Sequence, residues 1–138
     1  MGGEATRRVA LMSIHPEFAD AIMSGTKTVE FRKRRPAADI TKVYVYATAP
    51  KSQIIGWFDI DRIVEDTPSS IWKQFKTSGV IKYNPFRKYY SGSSKAFAIV
   101  VRQVHRLDDP LSLDEIVPRP AVPQSFIYLD ERALAAAI

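Results

Sequence analysis

The sequence predicts an α+β domain, a mixed sheet of about six strands with short helices between them. Three observations lead there. Apolar residues recur with a two-residue period in Val9–Ile14, Thr28–Arg32, Lys42–Ala47, Gln53–Val64 and Lys95–Leu107. The helically spaced stretches between them are short, which suits a sheet curled into a small barrel. The 138-residue chain, 46% apolar and 25% charged, also has the size and composition of one globular domain able to bury its own core. Periodicity alone fits a closed barrel and an open α+β sheet equally.

In chain order, residues 1–8 form a small, polar lead-in expected to fray. The strand Val9–Ile14 leads through His15-Pro16 into an amphipathic helix to Ser24, with Phe18, Ala21 and Ile22 at helical spacing. Gly25 is placed to end it, since glycine takes the left-handed C-terminal conformation without a Cβ penalty. From Thr28 the period changes to two, with Val29 and Phe31 on one face and Thr28, Glu30 and Arg32 on the other. Gly56, inside the longest strand, marks a bulge or a close backbone approach. Thr67-Pro68-Ser69-Ser70 reads as a helix start, with Ile71, Trp72, Phe75 and Val80 as its apolar residues. Asn84-Pro85 reads as a break, Phe86–Tyr90 as a short aromatic and basic helical turn, and Asp108-Asp109-Pro110 as the end of the last long strand. Pro118, Pro120 and Pro123 stiffen an extended connection anchored by Leu113 and Ile116. Asp130 caps a final helix to Ile138. The expected organisation is therefore a lead-in over 1–8, one domain over 9–129, and a C-terminal helix over 130–138 docked on it.

The chain carries no cysteine, so disulfides, thiolate metal sites and a cysteine nucleophile are excluded. His15 and His105 are its only histidines and no His, Asp and Glu cluster has metal spacing, so neither a metal nor a cofactor is expected. No stretch resembles a secretory signal or approaches the roughly 18 apolar residues of a membrane helix, and the expectation is a cytoplasmic protein without a membrane partner. The net charge of +5 is unevenly spread. Residues 108–138 hold two Lys and Arg against six Asp and Glu, whereas between Asp66 and Asp108 there is no acid at all and eight cations. Such a field favours a polyanion, because a merely solvating surface mixes both signs.

The stretch Gly25-Thr26-Lys27-Thr28-Val29-Glu30-Phe31-Arg32 concentrates the candidate chemistry. An acid beside a guanidinium on one strand face is commonly a solvated ion pair, so the spacing alone has a bland explanation. The whole pattern, Gly-x-Lys-x-x-Glu-x-Arg, resembles the signature of the ASCH domains of the PUA-like superfamily, with all four fixed positions matched. The opening Leu11-Met12-Ser13-Ile14-His15-Pro16, the segments Tyr44-Val45-Tyr46-Ala47 and Ile54-Ile55-Gly56-Trp57-Phe58, and the motif Pro123-Gln124-Ser125-Phe126 are similar to further segments of that family, in the same order.

The resemblance implies a PUA-like mixed β-barrel and a cleft lined by the signature strand that binds RNA or another nucleic-acid ligand, with roles in RNA metabolism or transcription regulation. On that reading Lys27, Glu30 and Arg32 contact the ligand, with Ser13, Tyr46 and Ser125 nearby. Lys33, Arg34 and Arg35, together with Arg87 and Lys88, would hold the nucleic-acid backbone of an RNA or other single strand. Tyr44, Trp57, Trp72, Tyr83, Tyr89 and Tyr90 are further candidates for stacking a base, although aromatics at such spacings usually pack the core. Of these, Tyr89 and Tyr90, beside Arg87 and Lys88, are favoured outside the cleft.

The alternative is a metal-independent hydrolase acting on a modified nucleoside or on RNA, with Lys27 and Glu30 as the catalytic pair. One branch of the family removes the acetyl group of N4-acetylcytidine with a lysine, a threonine and a glutamate. Lys27 matches the lysine, but Glu30 stands where the threonine is expected and the acid-free stretch supplies no partner glutamate. A serine hydrolase is disfavoured because Ser13 and Ser125 lack a nucleophile-elbow context.

Overall fold

The computed structural model describes residues 7–138. Residues 1–6 of the expected lead-in lie outside the described residues, and Arg8 already belongs to the first strand. The elements are β1 (Arg8–Ile14), α1 (Pro16–Met23), β2 (Val29–Arg32), β3 (Lys42–Ala47), β4 (Gln53–Asp66), α2 (Pro68–Phe75), α3 (Tyr83–Tyr89), β5 (Ala96–Leu111), a 3-10 turn (Leu113–Glu115), β6 (Phe126–Asp130) and α4 (Glu131–Ala137). They form the expected α+β architecture, one mixed sheet ordered β2-β5-β4-β3-β1-β6. Only β1 and β3 run parallel; every other neighbouring pair is antiparallel.

The sheet is not closed by backbone pairing, since β2 and β6 remain its two edges. A side chain spans them instead. Arg32 at the end of β2 donates to Ser125 Oγ at 2.6 Å, just before β6, and to the Ser13 carbonyl of β1 at 3.4 Å. Ser125 is itself tied to β1, its carbonyl accepting from Ser13 N at 2.9 Å. A barrel-like curl thus ends in a guanidinium clasp.

Local chemistry accounts for the boundaries around the clasp. Gly25 has φ +84° immediately after the α1 C-cap, the left-handed position where a Cβ is penalised. Its N–H reaches Ile22 O at 3.1 Å and Lys27 N reaches Ala21 O at 3.0 Å, which turns the chain tightly into β2. Gly56 sits where the β4 register shifts, and a Cβ there would meet the His105 carbonyl at 2.5 Å as well as Met23 Sδ. Thr67 Oγ1 accepts from Ser70 N at 3.3 Å to cap α2, and Asp130 Oδ1 accepts from Arg132 N at 2.9 Å to cap α4.

Three expectations are corrected. Asn84-Pro85 does not break the chain but lies in the first turn of α3, where the missing proline N–H has no helical partner to lose. Asp108-Asp109-Pro110 does not end β5, which continues to Leu111 opposite Ile54. Val80 is not part of α2; it has φ +52° and is exposed.

The core has three parts. Ala10, Met12 and Ile14 of β1 join Val43 and Val45 of β3, Phe58 of β4 and the α1 residues Ala19 and Ile22. The alternate residues Val9 and Leu11 pack with Tyr44, Tyr46, Leu113, Ile116 and Leu134 under the 3-10 turn and α4. Val29 and Phe31 of β2 pack beneath α2 and α3 with Ile71, Phe75, Phe86 and Tyr90.

Candidate functional site

The two faces of β2 divide structure from chemistry. Val29 and Phe31 pack against α2 and α3, with Phe31 also reaching the cleft wall, while Glu30 and Arg32 point the other way, towards the end of β1. There they line a cleft of about 600 Å³ walled by Ser13, His15 and Phe18 on one side and Lys82, Phe86 and Tyr89 on the other. That volume is within the range of small-ligand sites.

Glu30 is 7% exposed and sits between two cations. Its Oε2 accepts from Arg32 at 3.2 Å and its Oε1 lies 3.7 Å from Lys27 Nζ. Lys27, expected to contact the ligand, does not line the cleft. It is 2% exposed, is absent from the cleft wall, and donates to the carbonyl of Gly79 beyond α2. Burial pushes its pKa below the ordinary 10.5, opposed by the Coulombic and hydrogen-bonding pull of Glu30. Lys27 therefore acts from below, fixing the acid that faces the cleft.

Arg32 spends its terminal nitrogens on Glu30, Ser13 O and Ser125 Oγ, while its Nε is buried with no hydrogen-bond partner. An unpaired buried donor costs about 1–3 kcal/mol, the sort of local violation that functional sites retain. From the opposite side of β2, Tyr90 Oη donates to the Arg32 carbonyl at 2.9 Å. Burial raises the Tyr90 phenol pKa.

The structure brings Ser13, Glu30, Arg32 and Ser125 together, with Lys27 beneath them. Ser13 Oγ donates to Pro123 O at 2.6 Å and so fixes the chain that presents Ser125. Tyr46 does not line the cleft: it pairs with Ser13 in the β1–β3 register but is 4% exposed and packs into the cluster under α4. Lys33, Arg34 and Arg35 are exposed beyond β2. Lys33 Nζ lies 4.7 Å from the Tyr89 ring and Arg34 lies 5.1 Å from the Phe126 ring, both stacked as cations on aromatics.

Arg87 and Lys88 are exposed on α3. Tyr89, expected outside the cleft, is a cleft wall, whereas Tyr90 is buried. Tyr44 and Trp57 stack on each other at 5.8 Å, and Trp57 on His105 at 3.7 Å, on a different part of the sheet. Sequence reasoning missed His15, Phe18 and Lys82 as lining residues. The first two follow from the helix entry they occupy, but Lys82 reaches the site only through the placement of α3. Among the described residues no group of three His, Asp or Glu side chains is placed to hold a metal ion, and no helix is long and apolar enough to cross a membrane.

A family model described as the ASCH domain matches residues 12–108. The chain is 35% identical over 127 residues to a protein named ASCH domain-containing ribonuclease from Zymomonas mobilis, spanning 89% of this chain and 85% of that one. The crystal structure of an ASCH protein from the same organism superposes with a TM-score of 0.85 at 32% identity, covering 94% of this chain and 92% of the other. Serine-to-alanine and tyrosine-to-phenylalanine variants of the Zymomonas protein have structures with the same TM-score of 0.85. A further relative, named large ribosomal subunit protein uL22 from Ureaplasma parvum, is 30% identical over 127 residues, but the chain spans only 40% of its length.

Proposed function

Since the chain belongs to the ASCH domain family, we propose that it binds single-stranded RNA by seating an unpaired nucleotide in the cleft between β2, α1 and α3. The observation that carries this reading is the floor of that cleft, where a buried carboxylate and a guanidinium are held side by side. Glu30 can accept from an exocyclic amine. Tyr89 offers a partly open ring for stacking, and Lys82 and the Lys33–Arg35 run offer phosphate contacts. An unpaired strand is favoured over duplex because a base must leave its stack to enter a cleft of about 600 Å³.

A second reading, cleavage of the bound RNA, is supported by the ribonuclease name of the Zymomonas relative. In cleavage by an internal nucleophile, the ribose 2′-hydroxyl attacks the adjacent phosphorus, its proton passes to a base, and the departing 5′-oxygen takes a proton from an acid. Glu30 and His15, both in the cleft wall, are the side chains suited to those two roles, with Arg32 beside the developing charge. Ser125 would bear on that step through its hydrogen bond with Arg32.

The test is binding of labelled single-stranded RNA, single-stranded DNA and duplex DNA over a salt series, with each RNA examined on a gel, with and without a chelator. Tyr89→Ala should weaken RNA binding about tenfold. Glu30→Gln should abolish any cleavage while RNA still binds. Duplex preferred over single strands would overturn the cleft reading, and cleavage surviving in Glu30→Gln would overturn the catalytic one.

A further inference from the structure

A second cavity, of about 560 Å³, lies on the far side of α3 from the cleft. The two share one wall residue, Phe86, so α3 stands between them as a ridge. The second cavity is built by the start of α2, by α3 and by the turn that follows, and its lining includes Trp72, Tyr83, Arg87 and Lys88 but no acid. Tyr83 is 52% exposed and meets Trp72 edge-on, with ring centroids 5.1 Å apart at 61°. The tyrosine ring thus rests against a neighbouring indole while about half of the residue stays exposed. Ser69, Ser91 and Ser93 supply hydroxyls around the rim.

Nothing in the cleft uses these residues. Tyr83 is a large aromatic left half-exposed in a segment without negative charge. A rigid exposed ring flanked by two cations combines stacking with backbone neutralisation, which is how single strands are held without sequence readout. An acidic protein segment would use the cations but has no need of the ring.

We infer that this cavity is a second nucleotide subsite, and that a single RNA strand straddles α3, with one base in the signature cleft and another on the Trp72–Tyr83 surface. The inference rests on the cleft reading above and adds a path to it. A helix with its side chains is about 10–12 Å across. The strand must therefore be longer than a dinucleotide, in keeping with the roughly four nucleotides that mark the lower end of single-strand sites on small domains. Base identity at the second subsite is read weakly, because every base has a stacking face.

The experiment uses 2′-O-methyl oligocytidines, which carry the exocyclic amine that Glu30 would accept from and cannot be cleaved through the 2′-oxygen, as a dinucleotide and an octanucleotide. Fluorescence anisotropy compares wild type with Tyr83→Ala, the Arg87→Ala/Lys88→Ala double variant and Tyr89→Ala, each checked by circular dichroism. All four positions are exposed, so folding should be preserved. Tyr83→Ala should weaken the octanucleotide about tenfold and leave the dinucleotide within about twofold. The double variant should lower the salt dependence of octanucleotide binding by about 1.4 in log–log slope, for two phosphate contacts. Tyr89→Ala should weaken both oligomers.

Equal effects of Tyr83→Ala on both lengths, or none on either, would overturn the second subsite while leaving the cleft standing. Loss in Tyr83→Ala with no loss in Tyr89→Ala would uphold the second subsite and overturn the cleft. A wild type that binds neither oligomer overturns both.

Discussion

Lys27, Glu30 and Arg32 are followed without interruption by Lys33, Arg34 and Arg35, yet the two groups of charges live in opposite environments. The first three are nearly sealed, with side-chain exposures of 3%, 9% and 11%, and are bonded to one another. The next three stand in solvent, two of them laid over aromatic rings. Buried charges answer to each other before they answer to a ligand, because taking them from water is tolerable only when they are paired. Exposed ones keep their hydration and are free to exchange it for phosphate. One run of charged sequence is thus divided, at the point where β2 ends, into a buried set paired within itself and an exposed set to which the proposed function gives the phosphate contacts.

The comparison is broken most forcefully at Glu30, whose removal strands two buried cations. Glu30→Ala should cost about 3–5 kcal/mol of stability, as for other buried pairs that lose one partner. Glu30→Gln should cost much less, since an amide oxygen still accepts from Arg32 and the volume is unchanged. Urea unfolding of the two variants beside wild type measures this. Similar, small losses for both would mean that the three charges are solvated after all.

A gentler probe is the protonation of Lys27. Its folded pKa is pushed down by burial from 10.5, so the folded chain releases this proton at a lower pH than the unfolded chain does. Between the two values the unfolded state binds more protons, and stability attributable to Lys27 rises with pH. The difference in unfolding free energy, wild type minus Lys27→Met, should therefore increase as pH climbs towards 10.5. Tyr44, whose pKa burial pushes up to about 12, and Tyr90, also raised, oppose this trend above pH 10. They are present in both proteins and cancel in the difference. A gap that stays flat or narrows would show that Lys27 is not desolvated.

What was legible in the sequence follows the range of the forces involved. The Gly25 turn, the helix start within Thr67–Ser70 and the Asp130 cap are legible because a left-handed turn and an N-cap are settled by residues within a few positions. The α+β class and the signature strand followed from a two-residue period, which is equally local. The burial of Lys27 depends on a carbonyl 52 residues away, and the clasp of Arg32 on a serine 93 residues away. No local rule reports either. Asn84-Pro85 misled because a proline that breaks a helix and a proline that begins one look alike until the helix axis is known. Tyr46 and Tyr89 exchanged roles for the same reason: β-strand parity gives the face of a residue, but only the placement of α3 and α4 decides which face is covered.

The smallest effect on the fold, and the one that isolates the binding surface, belongs to the exposed run. Replacing Lys33, Arg34 and Arg35 together by alanine should leave the unfolding transition almost where it is, since solvated cations contribute little to stability. RNA affinity at low salt should nevertheless fall, and the log–log salt slope should drop by about two, the value for three phosphate contacts on a single strand. Because Glu30 and Arg32 are untouched, discrimination between bases should survive the loss of affinity. A triple variant that loses base preference along with salt dependence would mean that the exposed cations do more than hold phosphates, and the boundary drawn at the end of β2 would have to move.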